Sequence, residues 1–358
     1  MKRPEDHMLL FLLAGFLLLF CCLFFFSPAP DFSEEENRYL SARPDLSFQN
    51  YWNGQYSARF DTYITERMPG RRMMRSARAL CELALGKREV RGVIWNRGTG
   101  LLRQSEESDT LCQKNLQAAQ KLCLAATKTG IPFHAVLIPR RIDAPDAPLP
   151  AGLSVTSVLP GQIPETLKSK TAIPKFPVQA YYRTDHHLNR EGAWQLYETV
   201  CAAFSLTPVP AEELQWETVC KDFYGTSAAT SGIPFLSPDS VSVPHFKGEE
   251  RFRITADGIS QPGFYQYGKA ATRDAYGVFF GGNFREIQID RGETDDRPVL
   301  YVIKDSYANA VLPLLSLHFR IRAFDPRYGA PVLSDFSGDC AGVLLLCGTQ
   351  TLSGSAFF

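Results

Sequence analysis

The chain has no surplus of either charge, since 38 basic side chains face 38 acidic ones and the formal net charge is zero. Nothing global therefore recommends nucleic acid or an anionic surface as a partner, and any partner must be argued locally. The short motifs that announce bound groups are missing too. No cysteine pair has the C-x-x-C spacing of metal ligands, no P-loop or dinucleotide glycine pattern occurs, and no internal repeat is found. No metal and no cofactor is expected. Apolar residues are plentiful: 45% of the 358 residues are hydrophobic and 21% are charged. That is enough to bury a sizeable core, and it excludes a disordered tail.

The strongest local signal is at the N-terminus, where no residue from Met8 to Phe26 carries a charge. At about 1.5 Å of rise per residue, such a run nearly crosses a hydrocarbon core of roughly 30 Å. A cleaved signal peptide has a shorter apolar region and a small-x-small cleavage site. Ser27 and Ala29 offer that pattern, but Pro30 follows it and fits a peptidase poorly. Lys2 and Arg3 precede the run and the next basic residue is Arg38. The positive-inside rule then keeps the N-terminus in the cytoplasm and exports the rest. The expectation is a single-pass protein of the cell membrane with an extracytoplasmic C-terminal domain. Cys21 and Cys22 lie in the anchor. Cys123, Cys201 and Cys347 sit in apolar periodic stretches and read as small buried hydrophobes, and one or two disulfides remain open.

Three segments are expected: 1–27 as cytoplasmic tip and anchor, 28–105 as a membrane-proximal segment packing on the main domain, and 106–358 as that domain. Ser27 to Pro30 reads as a stiff linker and Glu34 to Glu36 as a solvated acidic run. Residues 50–90 read as largely helical with a break at Met68-Pro69-Gly70, followed by a hairpin at 93–102. Ser108 caps a helix that Gly130 stops, and a strand follows from Phe133 to Ile138. Another helix runs from about Asn189 to Phe204. Tyr276 to Phe280, Val299 to Ile303, Ile321 to Phe324 and Val343 to Leu346 are short apolar runs of the kind that form buried strands. Helices between such strands indicate an α/β sandwich with a mainly parallel sheet.

Active sites in such sheets collect beyond the C-terminal ends of strands. Three segments are read at that position: Thr184-Asp185-His186-His187, Gly281-Gly282-Asn283, and Lys304-Asp305-Ser306-Tyr307. A serine hydroxyl is a weak nucleophile until an imidazole takes its proton, and a carboxylate improves the imidazole by fixing its tautomer. Asp185 and His187, two apart on one loop, can pair directly, and Ser306 must arrive through the fold. Gly282 and Asn283 are candidate oxyanion donors, and Arg183 and Tyr307 are candidate substrate contacts. The same residues also have ordinary readings. A serine after a strand is commonly a turn or cap residue, Asn after Gly-Gly a turn former, and adjacent histidines surface groups or metal ligands. Arg327 reads as half of a structural ion pair, Asp305 as a helix cap, and His134, His245 and His318 as isolated structural groups.

The stretch Tyr181-Tyr182-Arg183-Thr184-Asp185-His186-His187-Leu188, followed by Gly192-Ala193, resembles the signature of the DHHW protein family of bacterial envelopes. Phe223-Tyr224-Gly225-Thr226, Phe280-Gly281-Gly282-Asn283 and Lys304-Asp305-Ser306-Tyr307-Ala308-Asn309 resemble further segments of it in the same order, as do Phe32-Ser33, Glu36-Asn37-Arg38 and Leu40. That family is similar to the SGNH-hydrolase-like domains of alginate O-acetyltransferases, in which an Asp-x-His-Trp motif and a distant serine form the triad. The resemblance implies an SGNH-hydrolase-like three-layer sandwich with Ser306 as nucleophile, His187 as base and Asp185 behind it. The tryptophan position holds Leu188 here, a change that removes no reacting group.

The implied function is extracytoplasmic O-acetyl transfer to a cell-envelope or exopolysaccharide sugar through an acyl-enzyme. A carbohydrate esterase and a non-catalytic carbohydrate-binding or assembly scaffold are the alternatives, since fold does not guarantee activity. Acetyl-coenzyme A is not normally available outside the cytoplasm, and one apolar helix offers a polar carrier no path. Alginate-type systems, which the chain resembles, use a multi-spanning membrane-bound O-acyltransferase for that step. Such a donor partner is expected here, contacted through the anchor or residues 28–105. A reporter fused after Phe358 should register outside the cytoplasm, with Met8 to Phe26 retained in the mature protein. A soluble product beginning at Pro30 would show the segment to be a cleaved signal.

Overall fold

The computed structural model describes residues 4–26, 31–33, 38–155, 157–329 and 339–358. The linker Ser27 to Pro30, the acidic run Glu34 to Glu36 and the matched residue Asn37 lie outside the described residues. The chain divides into two compact units, one of residues 1–87 with 232–234 and one of residues 88–231 with 235–358.

In the first unit the charge-free run forms helix α1 (Pro4–Phe26). It contains an 18-residue window, His7–Phe24, of mean hydropathy 2.6 with none of it buried, so α1 is long and apolar enough to cross a membrane. The two-residue strands β1 (Phe32–Ser33) and β2 (Arg38–Tyr39) pair antiparallel. Helices α2 (Phe48–Trp52), α3 (Gln55–Arg67) and α4 (Arg71–Ala84) follow. The expected break at Met68-Pro69-Gly70 separates α3 from α4, with Gly70 at φ +71 entering α4. Only glycine takes that conformation without steric cost.

The second unit opens with a three-stranded antiparallel meander, β3 (Glu89–Val90), β4 (Val93–Asn96) and β5 (Gly100–Arg103). Helix α5 (Asp109–Lys128) carries the expected Ser108 cap, and β6 (Phe133–Ile138) follows it. Short helices α6 (Leu159–Gln162) and α7 (Glu165–Lys168) lead to β7 (Thr171–Ala172). Helix α8 (Arg190–Ala203) is capped by Asn189, whose side chain accepts from the N–H groups of Glu191 and Gly192. A separate antiparallel ribbon is made by β8 (Leu214–Phe223) and β9 (Asp239–Phe246), with α9 (Thr226–Ser231) between them.

The remaining elements are β10 (Arg253–Ala256), β11 (Ile259–Gln261), α10 (Tyr267–Ala270), β12 (Glu286–Asp290), β13 (Val299–Lys304), α11 (Leu312–Leu315), β14 (Arg320–Phe324), β15 (Cys340–Gly348) and α12 (Thr349–Gly354). The central sheet has eight strands in the order β11-β10-β12-β14-β13-β15-β6-β7. From β14 to β7 every pairing is parallel, whereas β11, β10, β12 and β14 pair antiparallel. The sheet is therefore mixed, and the expected mainly parallel arrangement holds for one half of it. At the outer edge the reason is local: Asp257 (φ 46) and Gly258 (φ 81) turn β10 tightly into β11, and a two-residue turn of that kind can only make antiparallel neighbours.

Side chains alternate across β13 as a covered strand requires. Val299, Tyr301 and Ile303 join a core with α5, α12 and Phe133, while Leu300 and Val302 join the larger core with α8, Ile287 and Ile321. Cys123, Cys201 and Cys347 are buried as expected, and every cysteine is a free thiol.

Two expected placements fail. Tyr276 to Phe280 is not a strand: Ala275–Val278 forms a 3-10 turn, and buried Phe280 has φ 63, which breaks any extended run before Gly281. Thr184 to His187 does not end a strand either. It is a bent loop closed by the isolated Tyr181–Leu188 bridge.

Gly192 holds that loop against α8, because a Cβ there would lie 2.1 Å from the Ala180 carbonyl oxygen and 2.8 Å from Leu188 Cδ2. Gly192→Ala should destabilise the protein by about 1–3 kcal/mol, read as a lower urea midpoint. Gly161→Ala, whose Cβ would meet nothing within 4 Å, is the control expected to change little.

Candidate active site

Ser306 opens a 3-10 turn, Ser306–Ala310, directly after β13. Asp305 caps this turn as expected: its Oδ1 accepts from Tyr307 N at 2.9 Å and its Oδ2 from Gly348 N at 2.8 Å and Thr351 Oγ1 at 2.5 Å. The Tyr276 hydroxyl donates to the Ser306 carbonyl at 3.0 Å. The sharp strand-to-turn corner thus leaves the half-buried Ser306 side chain at the C-terminal edge of the sheet, with its backbone tied on both sides.

The Asp185 loop reaches that edge from elsewhere in the chain. His187 Nε2 lies 2.8 Å from Ser306 Oγ, and His187 Nδ1 lies 2.6 Å from Asp185 Oδ1. Asp185 Oδ1 also accepts from His187 N at 3.0 Å, and Oδ2 accepts from Thr226 N at 2.7 Å and Thr226 Oγ1 at 3.0 Å. Because the carboxylate can only accept, His187 donates from Nδ1, which leaves the Nε2 lone pair facing the serine hydroxyl. The His187 ring stacks on Tyr276 at 3.9 Å between centroids and 14° between planes. Asp239 anchors the same loop from β9, accepting from Arg183 N, Thr184 N and Thr184 Oγ1, each within 2.8 Å.

Burial alone would raise the Asp185 pKa, but His186 and His187 and their hydrogen bonds hold it well below the usual carboxylate range. Burial and the neighbouring His186 push His187 below its ordinary value, against the opposing pull of Asp185. The pair is therefore an anion beside a neutral imidazole, the state in which a histidine can take a proton.

His186 has a different environment. Its Nδ1 is 2.9 Å from Thr226 Oγ1 and 3.3 Å from Asp185 Oδ1, and its carbonyl accepts from the Tyr307 hydroxyl at 2.9 Å. Asp185, His186 and His187 offer ligand atoms within 4.8 Å of one another, so they are the group among the described residues that could hold a cation. Most of their ligand atoms are already engaged: both Asp185 oxygens accept two hydrogen bonds, from His187 and from Thr226, and His187 Nδ1 donates to one of them. A cation would have to displace that set.

The remaining sequence candidates have other surroundings. Gly281 (φ 90) and Gly282 (φ 139) carry the chain away from Phe280. Gly282 N donates to the Phe279 carbonyl at 3.4 Å, its own carbonyl accepts from Asn309 Nδ2 at 3.4 Å, and Asn283 Oδ1 accepts from the same Nδ2 at 3.2 Å. Arg183 is exposed. Its carbonyl accepts from Leu101 N at 2.8 Å, and Gly100 is required there because a Cβ would sit 2.5 Å from that oxygen. Tyr307 is buried, with its hydroxyl on the His186 carbonyl. Arg327 pairs with Asp325 at 2.6 Å, as a structural reading requires. His245 pairs with Glu217 and Glu249, His318 with Tyr197, and His134 packs on Phe204.

Thr226, Asp239 and Tyr276 were given no role by the sequence. Each acts from a different element, and only the order of the matched segments pointed to Thr226. Asp239 stands 55 residues from Thr184 and has no local signal.

No protein-family model matches the chain, and no curated protein matches it in sequence. Solved structures do match. A DHHW family protein from Eubacterium siraeum DSM 15702 superposes with a TM-score of 0.61 at 19% identity, covering 75% of this chain and 94% of that one. Bacillus cereus PatB1 with a sulfonyl adduct superposes at 0.59 with 17% identity, covering 74% and 97%. Another PatB1 structure superposes at 0.58 with 18% identity, covering 74% and 98%. At these identities the likeness is one of fold, and a protein of the family that the motifs resemble shares it.

The electrostatics carry a pH prediction. A base must be neutral to act, so on the acid side the reactivity of Ser306 should fall as pH drops through the lowered His187 pKa. The acid limb should therefore lie below the ordinary imidazole value of 6.5. His186→Gln removes one of the influences that lower it and should move the limb upward, read as the pH dependence of Ser306 acylation by a simple acetyl ester.

Proposed function

We propose that this chain is an extracytoplasmic O-acetyltransferase that modifies a cell-envelope or exopolysaccharide sugar through a Ser306-His187-Asp185 triad. The observation that supports this reading is the continuous hydrogen-bond chain from Ser306 Oγ through His187 to Asp185, at 2.8 and 2.6 Å. In the first step His187 Nε2 takes the Ser306 proton as Oγ attacks the acyl carbonyl carbon. The bond to the donor's leaving oxygen then breaks, and that oxygen receives the proton from His187. In the second step His187 takes the proton of a sugar hydroxyl, whose oxygen attacks the acyl-serine carbon. Ser306 leaves with the proton returned. Asp185 stays ionised throughout and stabilises the imidazolium. Gly282 and Asn283 are the proposed groups at the developing oxyanion, and Arg183 the proposed contact for the sugar.

The proposed topology completes the reading. Helix α1 anchors the chain in the cell membrane, and a multi-spanning membrane-bound O-acyltransferase supplies the acetyl group from the cytoplasmic side. Residues 28–105 are the proposed contact with that partner. The esterase reading differs only in the acceptor, with water in place of the sugar.

PatB1, whose fold is similar, has been solved with a sulfonyl adduct, and a sulfonyl fluoride is a direct probe here. The full-length protein should gain one sulfonyl group on Ser306, located by peptide mass spectrometry. Ser306→Ala should abolish the adduct, and His187→Ala should slow it by several orders of magnitude, about 10³-fold or more. His186→Ala should cost less. In membranes, polymer acetylation should require both Ser306 and the acyltransferase partner. An unreactive Ser306 in a folded protein would overturn the triad, and efficient acetylation from acetyl-coenzyme A by the purified chain would overturn the partner.

A further inference from the structure

One buried ionisable group at the sheet edge takes no part in the proposed reaction. Lys304 is the last residue of β13 and is wholly buried, and alternation along the strand turns it to the same side as Leu300 and Val302. An ammonium removed from water is costly unless it is paired. Here Nζ donates to Asn309 Oδ1 at 2.6 Å. Asn309 is itself buried, and its Nδ2 points to the Gly282 carbonyl at 3.4 Å and to Asn283 Oδ1 at 3.2 Å.

The direction of this chain of bonds is decided by chemistry. An ammonium has donors and no acceptor, so the Asn309 oxygen must face Lys304 and its NH₂ must face the 282–283 loop. The same logic passes one step further. With Asn283 Oδ1 accepting from Asn309, the Asn283 NH₂ lies on the opposite edge of the same planar amide and is left to donate elsewhere. The turn it sits on needs such a tether, because Gly281 and Gly282 both have positive φ and a Cβ at Gly282 would meet nothing within 4 Å.

We propose that Lys304 is a positioning residue: through Asn309 it sets the orientation of the Asn283 carboxamide and holds the 282–283 turn beside Ser306, so that the Asn283 NH₂ is presented to the oxyanion. The inference rests on the acyl-transfer reading for its functional consequence, while the orientation it claims is measurable without any turnover.

Among the described residues, the charged groups that act on Lys304 are Asp305, which follows it in the chain and caps the next turn, and Asp325 and Arg327 beyond β14. Asp325 is already engaged by Arg327, and Asp305 by the Ser306 turn. Burial lowers the ammonium pKa to about 8, against the pull of Asp325 and Asp305 and with a push from Arg327. Below that value the donor-only ammonium allows one Asn309 orientation. Above it the neutral amine can accept as well as donate, and the constraint is lost.

The test uses full-length protein carrying ¹⁵N-asparagine, with the side-chain signals of Asn283 and Asn309 assigned by Asn283→Asp and Asn309→Asp. In the wild type both carboxamides should shift together with an alkaline midpoint of about 8, and in Lys304→Met the transition should vanish. Ser306 acylation by an acetyl ester should fall through the same midpoint. In Lys304→Met it should be lower on the order of 10²-fold at neutral pH, with the loss in kcat rather than KM. Carboxamide signals that ignore both pH and Lys304→Met would overturn the proposal. The wild-type titration needs no Lys304 variant, so it decides the matter even if Lys304→Met does not fold. If the carboxamides respond while wild-type Ser306 stays unreactive, the positioning role stands and the acyl-transfer reading falls.

Discussion

Everything around Ser306 depends on keeping the Asp185 carboxylate ionised where water cannot reach it. A buried carboxylate left unpaired would take up a proton or pull its loop out to solvent. Asp185 does neither, because each oxygen accepts two hydrogen bonds, from His187 on its own loop and from Thr226 on α9. Gly225 makes room for it: a Cβ at that position would lie 2.2 Å from Asp185 Cβ and Oδ2. The consequence runs outward from there. A fixed anion fixes the His187 tautomer, and the tautomer decides that Nε2 presents a lone pair to Ser306.

The loop that carries Asp185 has no ladder of its own beyond one bridge, so other elements must hold it. Asp239 takes up the N–H groups of Arg183 and Thr184, and Tyr307 reaches the His186 carbonyl from beside Ser306. Gly100 and Gly192 let neighbouring backbone approach closely enough to clamp both ends. Bonds from several elements hold the loop more rigidly than a single contact would, and they keep His187 within hydrogen-bond range of Ser306.

A second set of buried charges lies at the same sheet edge. Lys304, Asp305 and Asp325 are each essentially inaccessible, and Arg327 joins them from the turn after β14. Each is hydrogen-bonded, which is the condition for tolerating charge in a core. They cluster where the parallel strands β13, β14 and β15 end, because strand ends are where the backbone stops consuming hydrogen bonds and side chains can take over. The parallel half of the sheet supplies this edge. The antiparallel half widens the sheet, and Asn309 ties the 282–283 turn to the turn that follows β13.

What was legible in the sequence follows the range of the interaction. Helix α1 was written in an uninterrupted apolar run, α5 and α8 in 3.6-residue periodicity with Ser108 and Asn189 as caps, and β6, β13 and β14 in short apolar runs. These depend on neighbours within a few residues. The pairing of Asp185 with His187 was legible for the same reason, being two residues apart, and the fold was legible through the order of the matched segments. The antiparallel half was not, because strands such as Glu286–Asp290 look polar until their partners are known. Tyr276 to Phe280 misled because aromatic residues favour strands, while the positive φ of Phe280 is imposed by packing in the aromatic core. The meeting of Ser306 with His187, 119 residues apart, was decided only by the tertiary structure, as were the supports from Thr226, Asp239 and Lys304. Hydrogen bonds between distant segments leave no periodicity in a single sequence, and only the folded sheet brings their donors and acceptors within reach.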